Sequence, residues 1–445
     1  MQDRHQRCSR RKFLASAAAL TLASGLDGRA ADRDTAPANA IRTRPPKLSK
    51  DGRKPIAVIT TVYRPLSHAY HIAGRFVLGY VRDGQLHTPK HYVHSLYVDQ
   101  KPDNDLSRDV GREFDVRLCR TVAEALTDEN GKLAVDGVLL IGEHGNYPRN
   151  DKGQILYPRY EMMEQVVEVF RKTGRAVPVF NDKHLSYSWE RAKRMFDWAQ
   201  ELKFPFMAGS SLPVTWRRPE LELPLGTPIE DALIAAYGPI EVYGFHALEA
   251  LQTMLERRKG GETGIHAVTC LTGKDVWKAA DDGRWNWDLL EAALTRSESV
   301  NPGDVRRNVG SMAVLGQPQA PPTAFLLEYR DGLKATVLLL TGHLQDHCFA
   351  AKIKGEAKPA SCMFHLPPPP GARFMDCLVA NIEKLLETGK SPYPVERTLL
   401  TSGALDAAMT SHYLRGARQE TPQLDVRYTA PIDSGYFRGS VAGPA

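Results

Sequence analysis

The chain has 445 residues, 42% hydrophobic and 25% charged, with a net charge of +6. That length needs two or three cores, and the composition excludes a disordered chain, a small disulfide or metal scaffold and a polytopic membrane protein. It also excludes a nucleic-acid partner: the first 30 residues hold six Lys/Arg against two Asp, the next 24 hold seven against three, and the remaining body at −2 offers no phosphate-tracking field.

The leader comes first. Ser9, Arg10, Arg11, Lys12, Phe13 and Leu14 read as a twin-arginine export box, followed by an Ala/Leu run to Leu26 and by small residues Gly28, Ala30 and Ala31 suited to cleavage. The apolar run, about 13 residues, falls short of the ~20 a membrane-spanning helix needs. Residues 1–31 are therefore expected to be a signal peptide and 32–54, with Pro37, Pro45 and Pro46, a flexible linker. The mature chain is expected in the periplasm without a transmembrane anchor. Cys8 leaves with the leader; Cys119, Cys270, Cys348, Cys362 and Cys377 show no CxxC spacing and read as buried hydrophobes rather than a disulfide framework.

Order begins at Pro55. A β-branched run at 56–62 predicts a buried strand, HSLYVD a second strand ending on Asp99, 115–118 a short strand leading into a helix, and VDGVLLIGE a further strand. Met162, Val166, Val169 and Phe170 recur at helical spacing up to Gly174, AVPVFNDK at 176–183 is the next strand, and a helix follows from Trp189. This alternation predicts βαβ units and a doubly wound parallel sheet over 55–220. From about Ile229 the pattern changes to a helix through GPIEVYGFHALEALQTMLERR, then strands TAFLLEYRD and KATVLLLTG about a turn at 330–332, then two amphipathic helices. The expectation is an α+β domain with an open antiparallel sheet over 221–415, followed by a tail at 416–445.

Several collinear stretches carry a family likeness. TVAEALTDENGKLAVDGVLLIGEHGNYP, VFNDKHLSYSWERAKRMFDWAQ, GPIEVYGFHALEAL and SPYPVERTLLTSGALDAAMTS resemble the "ealL…vDaV", "vfvEKPla", "GGalLDlGvHalD" and C-terminal segments of the Gfo/Idh/MocA family, named for glucose-fructose oxidoreductase and inositol dehydrogenase. The resemblance implies a Rossmann-like domain, an α+β domain whose sheet mediates a homo-oligomer, and hydride transfer between NAD or NADP and a hydroxyl of a small carbohydrate-like substrate. By the same resemblance the family's catalytic Lys and His fall on Lys183 and His246. An imidazole base and an ammonium that steadies an alkoxide suit oxidation of an alcohol.

The departures point elsewhere. A dinucleotide needs glycines after the first strand, yet 56–73 contains none and carries Tyr63, Arg64, Pro65, His68, Tyr70 and His71. Arg64 could bind phosphate directly, and Asp99 stands where a ribose-binding acid is expected. His184 replaces the proline of "EKP", Val242 replaces the family's Asp, and the neighbouring Glu241 points to another side of its helix. The cleft is expected at the carboxyl ends of the strands, with Tyr63, Arg64, Asp99, Glu143 and His144 on the cofactor side, Lys183 beside them, and Tyr243 sharing a helix face with His246.

Two other readings stay open. In one, a non-redox sugar lyase or hydratase has lost nicotinamide, and His68, His71, His87, His91, His94 and His144 converge with Glu143 or Asp99 on a divalent metal. In the other, the chain is a carbohydrate-binding protein in which Trp285 and Trp287 stack on sugar rings; the alternative for those two is the core.

Overall fold

The first sheet is assembled from β1 (Lys54–Thr60), α1 (His68–Leu78), a hairpin of β2 (Tyr80–Arg82) and β3 (Gln85–His87), β4 (His91–Val98), α2 (Ser107–Phe114), β5 (Arg117–Cys119), α3 (Val122–Leu126), β6 (Val138–Ile141), α4 (Arg159–Thr173), β7 (Val179–Asp182), α5 (Trp189–Leu202) and β8 (Phe206–Gly209). In the computed structural model, which describes residues 47–312 and 319–439, the six long strands lie in the order β5-β4-β1-β6-β7-β8, and every pair is parallel. Strand order reverses between β1 and β6, where a doubly wound sheet opens a crevice for its ligand. The leader expectation and most of the linker lie outside the described residues. No helix among them is long and apolar enough to cross a membrane.

The second sheet follows: β9 (Trp216–Arg218), β10 (Ile229–Ala236), α6 (Ile240–Leu255), β11 (Ile265–Thr272), α7 (Lys274–Asp281), α8 (Trp287–Leu294), α9 (Val305–Asn308), β12 (Thr323–Tyr329), β13 (Lys334–Leu339), β14 (His347–Ile353), β15 (Ala360–His365), α10 (Phe374–Thr388), α11 (Val395–Tyr413) and β16 (Gln419–Glu420). Its order is β16-β11-β12-β13-β10-β14-β15-β9, antiparallel except for β10 against β13. The expected hairpin of β12 and β13 and the two closing helices are present. One expectation is corrected here: 229–236 is not the start of a helix but the strand β10, inside the sheet. Its IEDALIAA run pairs on both edges, and the helix begins only at Ile240, after Gly238 and Pro239 break the strand.

Burial explains the arrangement. Alternate residues of β1 face opposite cores: Ala57 and Ile59 join one cluster with α3, α4, α5, α6, α11 and the near face of the second sheet, while Ile56 and Val58 join another with α1 and α10. Residues from the C-terminal third thus complete both faces of the N-terminal sheet. The far face of the second sheet is closed by α7 and α8, with Trp285 buried in that cluster.

Candidate active site

Lys183 follows β7 directly. It is non-glycine backbone at φ 70, a left-handed conformation that costs of order 1 kcal/mol and is held by its surroundings. The Lys183 N–H donates to Gly209 O at 3.0 Å, and the Asn181 side-chain amide donates to the carbonyls of Asp182 and His184 at 3.3 and 3.2 Å. This kinked strand end turns the Lys183 side chain inward, where it is 2% exposed. Its ammonium stands 2.6 Å from His246 Nε2 on α6 and 3.6 Å from Glu143 Oε1.

His246 is held from its other side by Ser210, whose Oγ lies 2.6 Å from Nδ1. With the Lys183 ammonium donating to Nε2, the ring proton sits on Nδ1 and donates to Ser210 Oγ. Burial, then the Lys183 charge, pushes the His246 imidazolium well below the ordinary histidine range. Ser210 reaches the ring because β8 ends on Gly209 at φ 122, where a Cβ would stand 2.3 Å from Glu249 Oε2 and 2.7 Å from Thr398 Oγ1. Only glycine fits that crossing of sheet and helices.

Glu143, 5% exposed at the end of β6, is an ion-paired floor. Burial opposes its charge, but the Lys183 ammonium and the Arg159 guanidinium, which donates to Oε2, hold the carboxyl far below its usual range. His144 beside it has φ 69 and a buried Nε2 with no partner among the described residues. Desolvation lowers its pKa to about 4. Opposite stands His68, the first residue of α1, with Nδ1 2.6 Å from Asp182 Oδ2 and its ring 5.2 Å from that of His144. Tyr243 lies against the site with its ring 6.2 Å from His246 and stacked on His347 at 6.4 Å. Gly238 makes room for it, since a Cβ there would touch the Tyr243 ring at 2.3 Å. His347 is 1% exposed with neither ring nitrogen partnered among the described residues, and burial lowers its pKa to about 4.

The structure thus brings Lys183, His246, Tyr243, Glu143 and His144 together with Asp182, His347, Ser210 and Arg159. Asp182 stands in the VFNDKH stretch and His347 in GHLQDH, whereas sequence reasoning missed Ser210, just past β8, and Arg159, at the start of α4, because no motif marks either. Glu241 does turn away from the cleft, accepting the Ile155 N–H at 2.9 Å. Its carboxyl is raised to about 7 by burial, against the opposing backbone hydrogen bond and Arg159.

The other three residues expected on the cofactor side have the following surroundings. Tyr63 is 3% exposed and belongs to the core beneath α1, lining a separate cavity with α2 and α10. Asp99 is taken by two phenols: Tyr147 Oη donates to Oδ2 at 2.6 Å and Tyr97 Oη to Oδ1 at 3.0 Å. Arg64 bonds its neighbour's carbonyl, Pro65 O, at 3.3 Å and edges a shallow cavity of about 430 Å³ with Gln100 and Asn146. Of the six histidines His68 and His144 meet, but the set does not converge. His87 binds Glu383 at 2.9 Å, His91 is buried at the start of β4, and no group of three His, Cys, Asp or Glu among the described residues could hold a metal ion.

A dinucleotide would have to enter between β1 and β6. Past the strand ends β1 stays paired with both neighbours: Thr61 N–H donates to Ile141 O and Thr61 Oγ1 to Glu143 O at 2.7 Å, while Gln100 N–H donates to Thr61 O at 2.8 Å. Gln100 also pairs with the Asn146 backbone in both directions. Ser67 Oγ accepts the Tyr70 N–H in the first turn of α1 at 3.2 Å, using a donor that a phosphate would need. These residues do not fit the fold's ordinary dinucleotide cradle.

No protein-family model and no curated protein matches the chain in sequence. Solved structures do match in shape. GenD2 from gentamicin A biosynthesis, solved with NAD, superposes with a TM-score of 0.52 over 85% of this chain and 99% of its own, at 13% identity. Myo-inositol dehydrogenase from Lactobacillus casei, solved with NAD(H) and myo-inositol, gives 0.50 over 83% and 96%, at 10% identity. The fold is that of the Gfo/Idh/MocA-type dehydrogenases. Within that Gfo/Idh/MocA-type fold, Lys183 and His246 come from the strand end and the facing helix that the sequence resemblance pointed to, and the β1–α1 turn holds no glycine.

Proposed function

We propose that this chain is an exported, non-redox protein on the Gfo/Idh/MocA-type fold that binds a sugar or cyclitol over Lys183 and His246 and moves a proton at one of its hydroxyls. The observation that carries the reading is the 2.6 Å contact of Lys183 Nζ with His246 Nε2, with Ser210 holding Nδ1. A hydroxyl that displaces this contact would donate to Nε2 while its oxygen accepts from the ammonium. Because burial and the ammonium disfavour the imidazolium, His246 holds that proton only in passing, which suits a relay on and off an oxygen. The partnerless nitrogens of His144 and His347 supply further hydrogen-bonding positions for a polyhydroxylated ligand. The glycine-free β1–α1 turn and the Ser67 cap on α1 support the loss of nicotinamide, and the scattered histidines give the metal reading no support.

Calorimetry on the purified chain tests this with myo-inositol, D-glucose, D-fructose, 2-keto-myo-inositol, NAD and NADP. Binding of at least one polyol is expected, weakened about tenfold or more in Lys183→Ala and His246→Ala, a loss of about 1.4 kcal/mol, with no heat from either nucleotide. Tight nicotinamide binding would restore the oxidoreductase reading. Polyol binding that neither substitution alters would remove these residues from the site.

A further inference from the structure

Consecutive residues at the end of β7 each hold one imidazole. Lys183 holds His246 at Nε2, and Asp182 holds His68 at Nδ1, both at 2.6 Å. Asp182 is 2% exposed and His68 half-buried. An ionised carboxylate accepts the Nδ1 proton and leaves Nε2 with its lone pair, the arrangement that orients a histidine base. The His68 ring meets that of His144, next in the chain to Glu143, edge-on at 5.2 Å. His68 occupies the first turn of α1, the place where this fold would present a helix N-terminus to a dinucleotide. Two imidazoles are therefore held in different ways by neighbouring residues, one by an ammonium and the other by a carboxylate.

We infer that His68, oriented by Asp182, is a second proton-transfer group that works on a carbon-bound hydrogen, and that the substrate is the α-hydroxy carbonyl form of a sugar or cyclitol. The step balances without an external oxidant. His68 Nε2 takes the proton from the carbon that bears the hydroxyl. The C–H electrons form the carbon–carbon double bond of an enediol, and the carbonyl π electrons move to oxygen, which Lys183 stabilises and the His246 relay protonates. Return of a proton to the neighbouring carbon, with loss of the other hydroxyl proton, gives the isomeric hydroxy carbonyl compound. The inference rests on the polyol-binding reading above and adds the chemistry.

Deuterium wash-in followed by proton NMR tests it, using D-glucose, D-fructose and 2-keto-myo-inositol in D₂O. The wild type is expected to place deuterium on the carbon next to the carbonyl of at least one of them. His68→Ala is expected to slow this about 100-fold or more, with added imidazole restoring part of the rate and the calorimetric affinity for the same sugar retained. Asp182→Asn is expected to slow it about tenfold or more without loss of binding. His68→Gln, which keeps an amide facing Asp182, serves as a second variant if the alanine form melts early. Sugar binding without wash-in by the wild type overturns this inference and leaves the binding reading standing. Absence of any sugar binding overturns that reading instead. Wash-in at the wild-type rate in both His68 variants, or a loss that imidazole does not relieve, removes His68 from proton transfer.

Discussion

Two carboxyls, both about 5% exposed, show how local partners decide a charge. Glu143 faces an ammonium and a guanidinium and stays ionised; Glu241 receives one backbone N–H, with Arg149 3.7 Å away, and burial wins. A carboxyl raised to about 7 in the folded chain stabilises it fully below its ordinary value near 4.5 and loses that contribution as pH rises through 7. Glu241→Gln should therefore gain on the wild type by about 1–3 kcal/mol between pH 5 and pH 8, read as the difference of urea midpoints. His347 works in the opposite sense. Its depressed value near 4 means that stability present above the ordinary histidine pKa is lost as pH falls toward 4. His347→Leu should flatten the acid limb of the same urea series by about 1–3 kcal/mol between pH 6.5 and pH 4; an unchanged limb would show that His347 is hydrated.

At the scale of elements, the site depends on strand ends that stop at defined places. β8 must end on Gly209 for Ser210 to meet His246, since any Cβ at that position collides with Glu249 and Thr398. Gly209→Ala should cost about 2–4 kcal/mol, seen as a lowered melting temperature, and should weaken polyol binding beyond what Ser210→Ala does. The β1–α1 connection shows the same dependence from the other direction. Its seven residues continue the pairing of β1 with both neighbours before Ser67 caps the helix, and the loops beyond them edge the cavity at Arg64, Gln100 and Asn146.

For the whole molecule, the decisive feature is that the two sheets share a core. The cluster on one side of β1 runs without interruption through α5, α6 and α11 into β10 and β12, and α10, close to the C-terminus, covers the other side of the first sheet. Residues 47–439 should unfold in one cooperative transition by calorimetry. Leu378→Ala, fully buried on α10, should lower that single transition by about 2–5 kcal/mol rather than melt one sheet alone. Two separated transitions would show that the sheets are independent.

The alternation of strand and helix through the first half could be read from residue pattern alone, because period-2 and period-3.6 burial is a local property of each segment. Lys183 and His246 were singled out by a different route, the resemblance of two short stretches to a known family. β10 was not readable, since IEDALIAA has helical composition and becomes a strand only by pairing with β13 and β14. The partners that set the chemistry were also hidden. His68 meets Asp182 across 114 positions and Ser210 meets His246 across 36, and nothing in either segment specifies the other. Composition along the chain showed that the glycines of a dinucleotide turn are missing. Only the folded backbone showed what stands there instead, because hydrogen bonds between strand ends form according to which strands are neighbours in space.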